Sequence, residues 1–534
     1  MIQFISFLFF TSLVAFWGFW KLRNEKLNTS DGYFLGGRSL TGIVIAGSML
    51  LTNISTEHLL GMNGSAYKNG AIIIAWEVTS ALALIVAAFY FLPRYLSMGL
   101  TTIPEFIEKR FDGVTRAMMA CILILSFVFT ILPIVLYTGA LSLENIFGLS
   151  EALSISKSEA IVLSVWGVGG LGGMYAIYGG LKMVAHTDMI NGMGLMIAGL
   201  AIPVIALYDI GQGNILSGMG EIYRFNPEKF STVSLEKSVG PGSREAILPF
   251  SVLFTGLIIN QVYFWAMHQS IIQRALGAVS LKEAQKGLLL TGLLKILIPF
   301  VIVLPGIIGF YYFGTQYYDD PDQVYPQLVK KLLPSWASGF FLAVIIGAIF
   351  STFNSALNSA ATIFSLDIYK RFLSSNATER KVVSTGKFLS LFLALGAIII
   401  APAIAKAPDG LYQLLQQLNG IFFVPMATII IAGFFMPWIT AKAARAGLVF
   451  GLVFYILFYY IFKVNIHFVH LWGLEFISNI GFMTLISLPA SHPSSFTVKN
   501  IEVVPTSPWR WAWPFSWFLI IIVLSIYIFT TIIS

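Results

Sequence analysis

The chain has 534 residues, of which 57% are hydrophobic and 11% charged, against about 45–50% and about 25% in soluble proteins. With a mean hydropathy of +0.82, it carries too few polar side chains to clothe a water-exposed surface. This excludes a soluble globular protein, and the same figures exclude a disordered chain. The net charge of +7 invites a nucleic-acid reading, which fails if the basic residues fall in the loops of a membrane protein.

Apolar stretches of the about 20 residues needed to cross a bilayer recur along the whole chain. In order they run over 2–20, 40–66, 70–93, 117–145, 160–180, 187–208, 246–272, 287–313, 338–366, 384–405, 411–436, 446–462, 469–490 and 511–533, about fourteen spans. The first has no basic segment before it and no small-residue cleavage site after it, so it reads as a retained helix with its N-terminus outside. Placing Lys21, Arg23, Lys26 and Arg38 inside and alternating gives 21 Lys and Arg inside and 10 outside, with Lys295 left mid-span. That asymmetry follows the positive-inside rule. It accounts for the basic excess by topology, predicts both termini outside and leaves no call for nucleic acid. The run Trp509-Arg-Trp-Ala-Trp-Pro-Phe-Ser-Trp517 reads as an interfacial aromatic belt.

Three spans are unusual. The second passes through Thr52-Asn53-Ile54-Ser55-Thr56-Glu57-His58, a polarity tolerated at membrane depth only where backbone lines a cavity or is buried in protein. It predicts a helix broken near mid-membrane, with freed carbonyls that can hold ions or substrate. The seventh, with Asn260-Gln261 and His268-Gln269, has a similar middle. Five spans over 40–208 and five over 246–436 would each begin with an interrupted helix, the spacing of inverted-topology repeats. The ninth carries Ser351-Thr352-Phe-Asn354-Ser355. Its hydroxyls suit either close helix packing or a sodium site facing the carbonyls near Leu51 and Ile54, by extension of hard-cation logic.

Ionisable residues inside spans cost about 2.5–3.5 kcal/mol each on insertion scales and mark function by default. They are Glu57, His58, Glu77, Asp188, His268, Lys295 and Glu475. Glu77 and Lys295 lie deepest. They make either a structural ion pair or a site for a neutral polyhydroxyl solute, whose hydroxyls both donate and accept. Trp76, Tyr263 and Phe264 offer aromatic faces for a pyranose. No arginine falls inside the predicted spans, which argues against a carboxylate cargo. There is no P-loop, no metal-ligand spacing and no nucleophile–base pair, so an enzyme is not expected.

Several segments are similar to the solute:sodium symporters, in particular the sodium–glucose/galactose branch. They are Asp31-Gly-Tyr-Phe-Leu-Gly-Gly-Arg38-Ser-Leu, Asn53-Ile-Ser-Thr-Glu-His58-Leu-Leu-Gly-Met62, Ile103-Pro-Glu-Phe-Ile-Glu-Lys-Arg-Phe111, Ile177-Tyr-Gly-Gly-Leu181 with Thr187-Asp188, Gln269-Ser-Ile-Ile-Gln-Arg274, Glu283-Ala-Gln-Lys-Gly287 with Leu294-Lys295, and Leu357-Asn-Ser-Ala-Ala-Thr-Ile-Phe-Ser-Leu-Asp-Ile-Tyr-Lys370. The resemblance covers about residues 31–420. It implies an all-α integral membrane protein built on a ten-helix inverted repeat, five plus five, with extra helices. It also implies a sodium site from the carbonyls of Leu51, Ile54 and Ala348 and the hydroxyls of Ser351 and Thr352, with Asp188 helping sodium leave inward. The sugar site it implies uses Asn53, His58, Glu77, Ser80, Gln261, Lys295 and Gln416, with Phe264 stacking where the family usually has tyrosine, and Met62 capping the outer side. Ile131 stands where a sugar-contacting amide is expected.

The resulting expectation is a secondary-active symporter of a bacterial cytoplasmic membrane, coupling sodium to a neutral sugar such as galactose or glucose. The alternatives are sodium or proton coupling to another neutral solute (a polyol, myo-inositol or a nucleoside), or a non-transporting sensor on the same scaffold. The expected division is an extra helix and inside loop over 1–37, a first repeat over 38–209, an outside loop over 210–245, a second repeat over 246–436 and extra helices over 437–534.

Overall fold

The computed structural model describes residues 2–23, 27–233, 248–406, 411–489, 496 and 501–533. Lys26 of the predicted inside cluster, and 234–245 of the predicted outside loop, lie outside the described residues. Every regular element among the described residues is a helix. The principal ones are α1 (Ile2–Leu22), α2 (Gly42–Asn53), α3 (Asn63–Asn69), α4 (Ala75–Val78), α5 (Ser80–Val86), α6 (Ile103–Arg110), α7 (Gly113–Ser126), α8 (Leu132–Phe147), α9 (Lys157–Ile210), α10 (Gly256–Ala266), α11 (Gln269–Leu276), α12 (Leu281–Phe313), α13 (Ser335–Ile363), α14 (Glu379–Ile400), α15 (Leu411–Phe435), α16 (Ala441–Tyr455), α17 (Phe468–Ser487) and α18 (Ala512–Ile533).

Eleven helical segments among the described residues are long and apolar enough to cross a membrane, fewer than the fourteen expected. The difference has three causes. Predicted spans five and six run as one helix, α9, which turns at Gly180 (φ 55°, ψ −172°) without leaving helical pairing. Predicted span seven is divided into α10 and α11, each too short to count. Half of span two is also short, α2, while its second half runs on into span three over His58–Ser97.

Both broken helices are present. α2 ends at Asn53 because Ile54 is extended (φ −92°, ψ 108°), and helix resumes through a π turn over His58–Met62 into α3. α10 ends at Ala266, His268 is extended (φ −74°, ψ 120°), and α11 follows. The two are tied near their ends: Leu40, just before α2, accepts a hydrogen bond from Val279 N and donates to Gly277 O, both at 3.1 Å, just after α11. α13 packs along α9 and α2, and α12 along α2 and α3, so the polar middles of the broken helices are enclosed by long apolar ones. The Gly180 turn is held from outside: the Tyr33 hydroxyl lies 3.1 and 3.0 Å from the carbonyls of Ala176 and Ile177, acceptors that the turn would otherwise orphan.

Candidate functional site

A cavity opens where α2 and α10 break. Each wall is set by helical pitch. The α10 face carrying Asn260, Gln261, Phe264 and Trp265 reaches it, and His268 extends that face past the break. The break at Ile54 turns Asn53, Glu57 and His58 inward, and α4 and α5 add Trp76, Glu77 and Ser80. α12 contributes Lys295, α15 contributes Tyr412, Gln416 and Asn419, and Ile131 and Val135 supply an apolar flank.

Lys295 and Glu77 form an ion pair, both essentially buried. The Lys295 ammonium also donates to Asn53 Oδ1 at 2.6 Å and lies 5.6 Å from the centroid of the Trp265 ring. A second network fixes Gln261. Its Oε1 accepts from Ser80 Oγ at 3.0 Å and Trp265 Nε1 at 3.1 Å, and its Nε2 donates to the Trp76 carbonyl at 2.7 Å. Ser80 and Gln261 therefore hold α5 to α10 and keep little free hydrogen-bonding capacity. Phe264 and His268 stack, with centroids 5.6 Å apart and planes 13° apart, and the His268 Nδ1 is 2.7 Å from Ser270 Oγ. The Tyr412 ring meets His58 at 5.2 Å and Trp76 at 5.9 Å, both edge to face.

Next to the cavity, α13 meets the end of α2. Thr352 Oγ1 donates to the carbonyl of Thr52 at 3.1 Å and lies 3.5 Å from that of Leu51. The neighbouring Ser351 hydroxyl is buried beside the Asp188 carboxyl. Ala348 is fully buried one turn earlier, and Ile54 is the extended residue itself. Asp188 sits deeper along the same seam. Ser48 Oγ donates to Asp188 Oδ2 at 2.7 Å, and Arg274 Nε donates to Ser48 Oγ at 2.8 Å. Arg274 also donates to Ser355 Oγ and to the Ser270 carbonyl, and its guanidinium is 3.7 Å from Asp188.

Thus Asn53, His58, Trp76, Glu77, Ser80, Gln261, Phe264, Lys295 and Gln416 come together in one cavity, and beside it Thr352 meets the carbonyls of Leu51 and Thr52. Met62 and Tyr263 do not line the cavity. Met62 is fully buried at the end of the π turn. Tyr263 is one residue off the inward face of α10 and turns toward Phe423 (5.6 Å) and Met426 Sδ (3.7 Å). The sequence reading missed Asn260, Trp265, Tyr412 and Asn419. The first two were recoverable from the i, i+1, i+4, i+5 face through Gln261. No arginine was expected inside a span, and Arg274, two residues past the predicted end of span seven, is nonetheless completely buried. Its charge is matched by Asp188 rather than offered to the cavity.

The sodium:solute symporter family model matches residues 33–451. The chain is 43% identical over 511 residues to the "Uncharacterized symporter YidK" of Escherichia coli (strain K12), covering 95% of this chain and 87% of that protein. It is 32% identical over 467 residues to the sodium/glucose cotransporter of Vibrio parahaemolyticus, covering 84% and 83%. It is 30% identical over 485 residues to the human sodium/myo-inositol cotransporter, of whose length it spans 64%. Among solved structures, a Na+-coupled sialic acid symporter in a substrate-bound outward-open state superposes with a TM-score of 0.80 at 19% identity, over 93% of this chain and 99% of that one; this is a likeness of fold. The chain is a multi-pass membrane protein of the sodium:solute symporter family, a secondary transporter rather than an enzyme, with sodium as its coupling ion.

Proposed function

We propose that the protein imports a neutral sugar, a hexose such as galactose or glucose, across a bacterial cytoplasmic membrane, with both termini outside. A cyclic polyol is the nearest competing cargo, because myo-inositol offers the same ring of hydroxyls and is what the human relative is named for. The observation that carries the reading is the Asn53–Lys295–Glu77 cluster in an aromatic-walled cavity that touches the Thr352 junction. A carboxylate, an ammonium, an imidazole and carboxamides together serve hydroxyls that both donate and accept. Every formal charge in the cluster has an internal partner, so a neutral solute enters without bringing a charge that needs one. Phe264, backed by His268, supplies the apolar face.

Sodium would bind between the carbonyls of Leu51, Ile54 and Ala348 and the hydroxyls of Ser351 and Thr352. The Ser351 hydroxyl, buried beside the Asp188 carboxyl, and the carbonyls freed at the Ile54 break fit a hard cation that takes oxygen ligands. Bound there, sodium joins the proposed first repeat (38–209) to the second (246–436) and holds Asn53 and His58 in place for sugar. Ion and sugar are then positively linked, and the linkage is reciprocal. Asp188 faces the same seam and would receive sodium on the way in, in exchange with Arg274. One charge falling through about 100 mV gives about 2.3 kcal/mol and a tenfold gradient adds about 1.4 kcal/mol. Together they support roughly 500-fold accumulation at one sodium per sugar.

Replacing both hydroxyls, Ser351→Ala with Thr352→Val, tests the ion site. Sodium-stimulated uptake should be lost while sodium-independent exchange of sugar persists. Undiminished sodium stimulation in the double variant contradicts the assignment.

A further inference from the structure

Glu475 has no part in the cavity or the sodium junction, yet it is completely buried. It lies on α17, outside the proposed repeats, where α17 packs against α15 and α16. Neither carboxyl oxygen has a hydrogen-bond partner, and no lysine, arginine or histidine among the described residues pairs with it. One turn on, Asn479 donates from Nδ2 to the Gly447 carbonyl at 3.0 Å, which leaves its Oδ1 buried and unpartnered. Both side chains lie over a small-residue stripe of α16. A Cβ on Gly451 would stand 2.9 Å from Glu475 Oε1 and 3.0 Å from Asn479 Nδ2, and one on Gly447 would stand 2.8 Å from Asn479 Oδ1.

An ionised carboxylate is not tolerated in such surroundings without a partner. Two ions could neutralise it. A sodium ion would find three oxygens here, two from Glu475 and one from Asn479, pressed against backbone too closely to admit a methyl group. A proton needs one acceptor, and Asn479 Oδ1, buried without a donor one helical turn on, is the orphaned acceptor in the same seam. We propose that Glu475 is a proton-binding carboxyl which donates to Asn479 Oδ1, an ion site separate from the sodium junction and the sugar cavity.

The surrounding elements offer no competing charge. The facing groups are the phenol of Tyr455 on α16 and the indole of Trp472 on α17, which bond to each other and are both neutral. α10 and α15 carry no charged residue. His470, nearer the start of α17, is engaged by Ser251 and Thr255 at 3.0 Å each, and Arg445 of α16 faces Asp112 at 3.7 Å. The site is mechanically joined to the cavity. α15 turns Gln416 and Asn419 to the cavity and Gly420 to Trp472 and Tyr455, and the Trp472 ring lies 4.8 Å from Phe423 and 6.3 Å from Trp76. Losing the proton would put a charge in this seam and force α17 from α15, moving Gln416 and Asn419.

Infrared spectra of the full chain in lipid, recorded for the wild type, Glu475→Gln and Asn479→Leu at neutral pH, test this. The wild type should show a protonated-carboxyl C=O band that Glu475→Gln lacks. Asn479→Leu should shift that band upward without removing it. The isosteric Glu475→Gln should keep sodium-driven uptake within about twofold of wild type, keep sodium's thermal protection, and extend uptake to more alkaline pH. Identical carboxyl bands in wild type and Glu475→Gln would overturn the proposal, and so would loss of sodium protection in Glu475→Gln, which would make the site a cation site. A band unmoved in Asn479→Leu would overturn the hydrogen bond assigned to Asn479.

Discussion

The Lys295 ammonium is the residue on which the cavity turns. It is buried, paired with Glu77 and bonded to Asn53, so it carries both the charge balance of the site and the orientation of the residue at the α2 break. Breaking a buried pair by removing one partner costs about 3–5 kcal/mol, because a charge is left uncompensated. Glu77→Gln and Lys295→Gln should therefore each lower thermal stability and abolish sugar binding. Combining them removes both charges, and the double variant should regain most of the stability while still failing to bind sugar. Thermal unfolding with and without sugar separates the two effects; restored sugar protection in the double variant would reduce the pair to a structural role. These two residues were legible in the sequence because charge inside an apolar run is conspicuous. Gln261 and Ser80 were also found, but not their engagement with each other, since hydrogen-bond partners 181 positions apart leave no local pattern. Arg274 was missed for a related reason: it sits just past an apolar run, and only the packing of α2 and α13 around α11 buries it.

At the scale of elements, function rests on where helices stop. Ile54 and His268 are extended residues inside otherwise helical segments, and the polar runs around them announced both breaks. The exact inward face of α10 was not announced, which is why Tyr263 was placed in the cavity and Trp265 was not. Gly180 marks a third interruption. Its left-handed φ of 55° and the 2.7 Å separation that a Cβ would have from the Tyr33 carbonyl both demand glycine. The predicted end of span five, at residue 180, falls at this place, but its partner Tyr33 lies in another segment altogether. Gly180→Ala should destabilise the protein by roughly 1–3 kcal/mol, read as a lower unfolding temperature. An unchanged unfolding temperature would mean that the turn is not under this constraint.

Across the whole molecule, α6, α7 and the segment following α13 are bound at one membrane face by charge. Glu108 accepts from Arg116 at 2.5 Å and from Arg371 at 2.8 Å, while Asp367 accepts from Arg116 and from Thr102 at 2.8 Å each. Partial burial raises the Glu108 carboxyl, but the hydrogen bonds from Arg371 and Arg116 outweigh it and hold the group below the usual carboxylate range. Its contribution to stability is therefore present above that range and is lost as pH falls through it. Acidification should lower the unfolding temperature of the wild type more than that of Glu108→Gln; equal acid sensitivity would contradict the assignment. The two interrupted spans were readable from their polar middles. The number of separate helices was not, because composition reports where a chain is apolar and not where helical pairing continues through a turn, as it does in α9.

The most direct test is uptake of radiolabelled hexoses and cyclic polyols into proteoliposomes, under inward sodium or potassium gradients at clamped pH and voltage. The account predicts accumulation of one such neutral solute with sodium but not with potassium, abolished by Glu77→Gln. Sodium-independent accumulation, or sodium-driven uptake that survives Glu77→Gln with unchanged affinity, would contradict it.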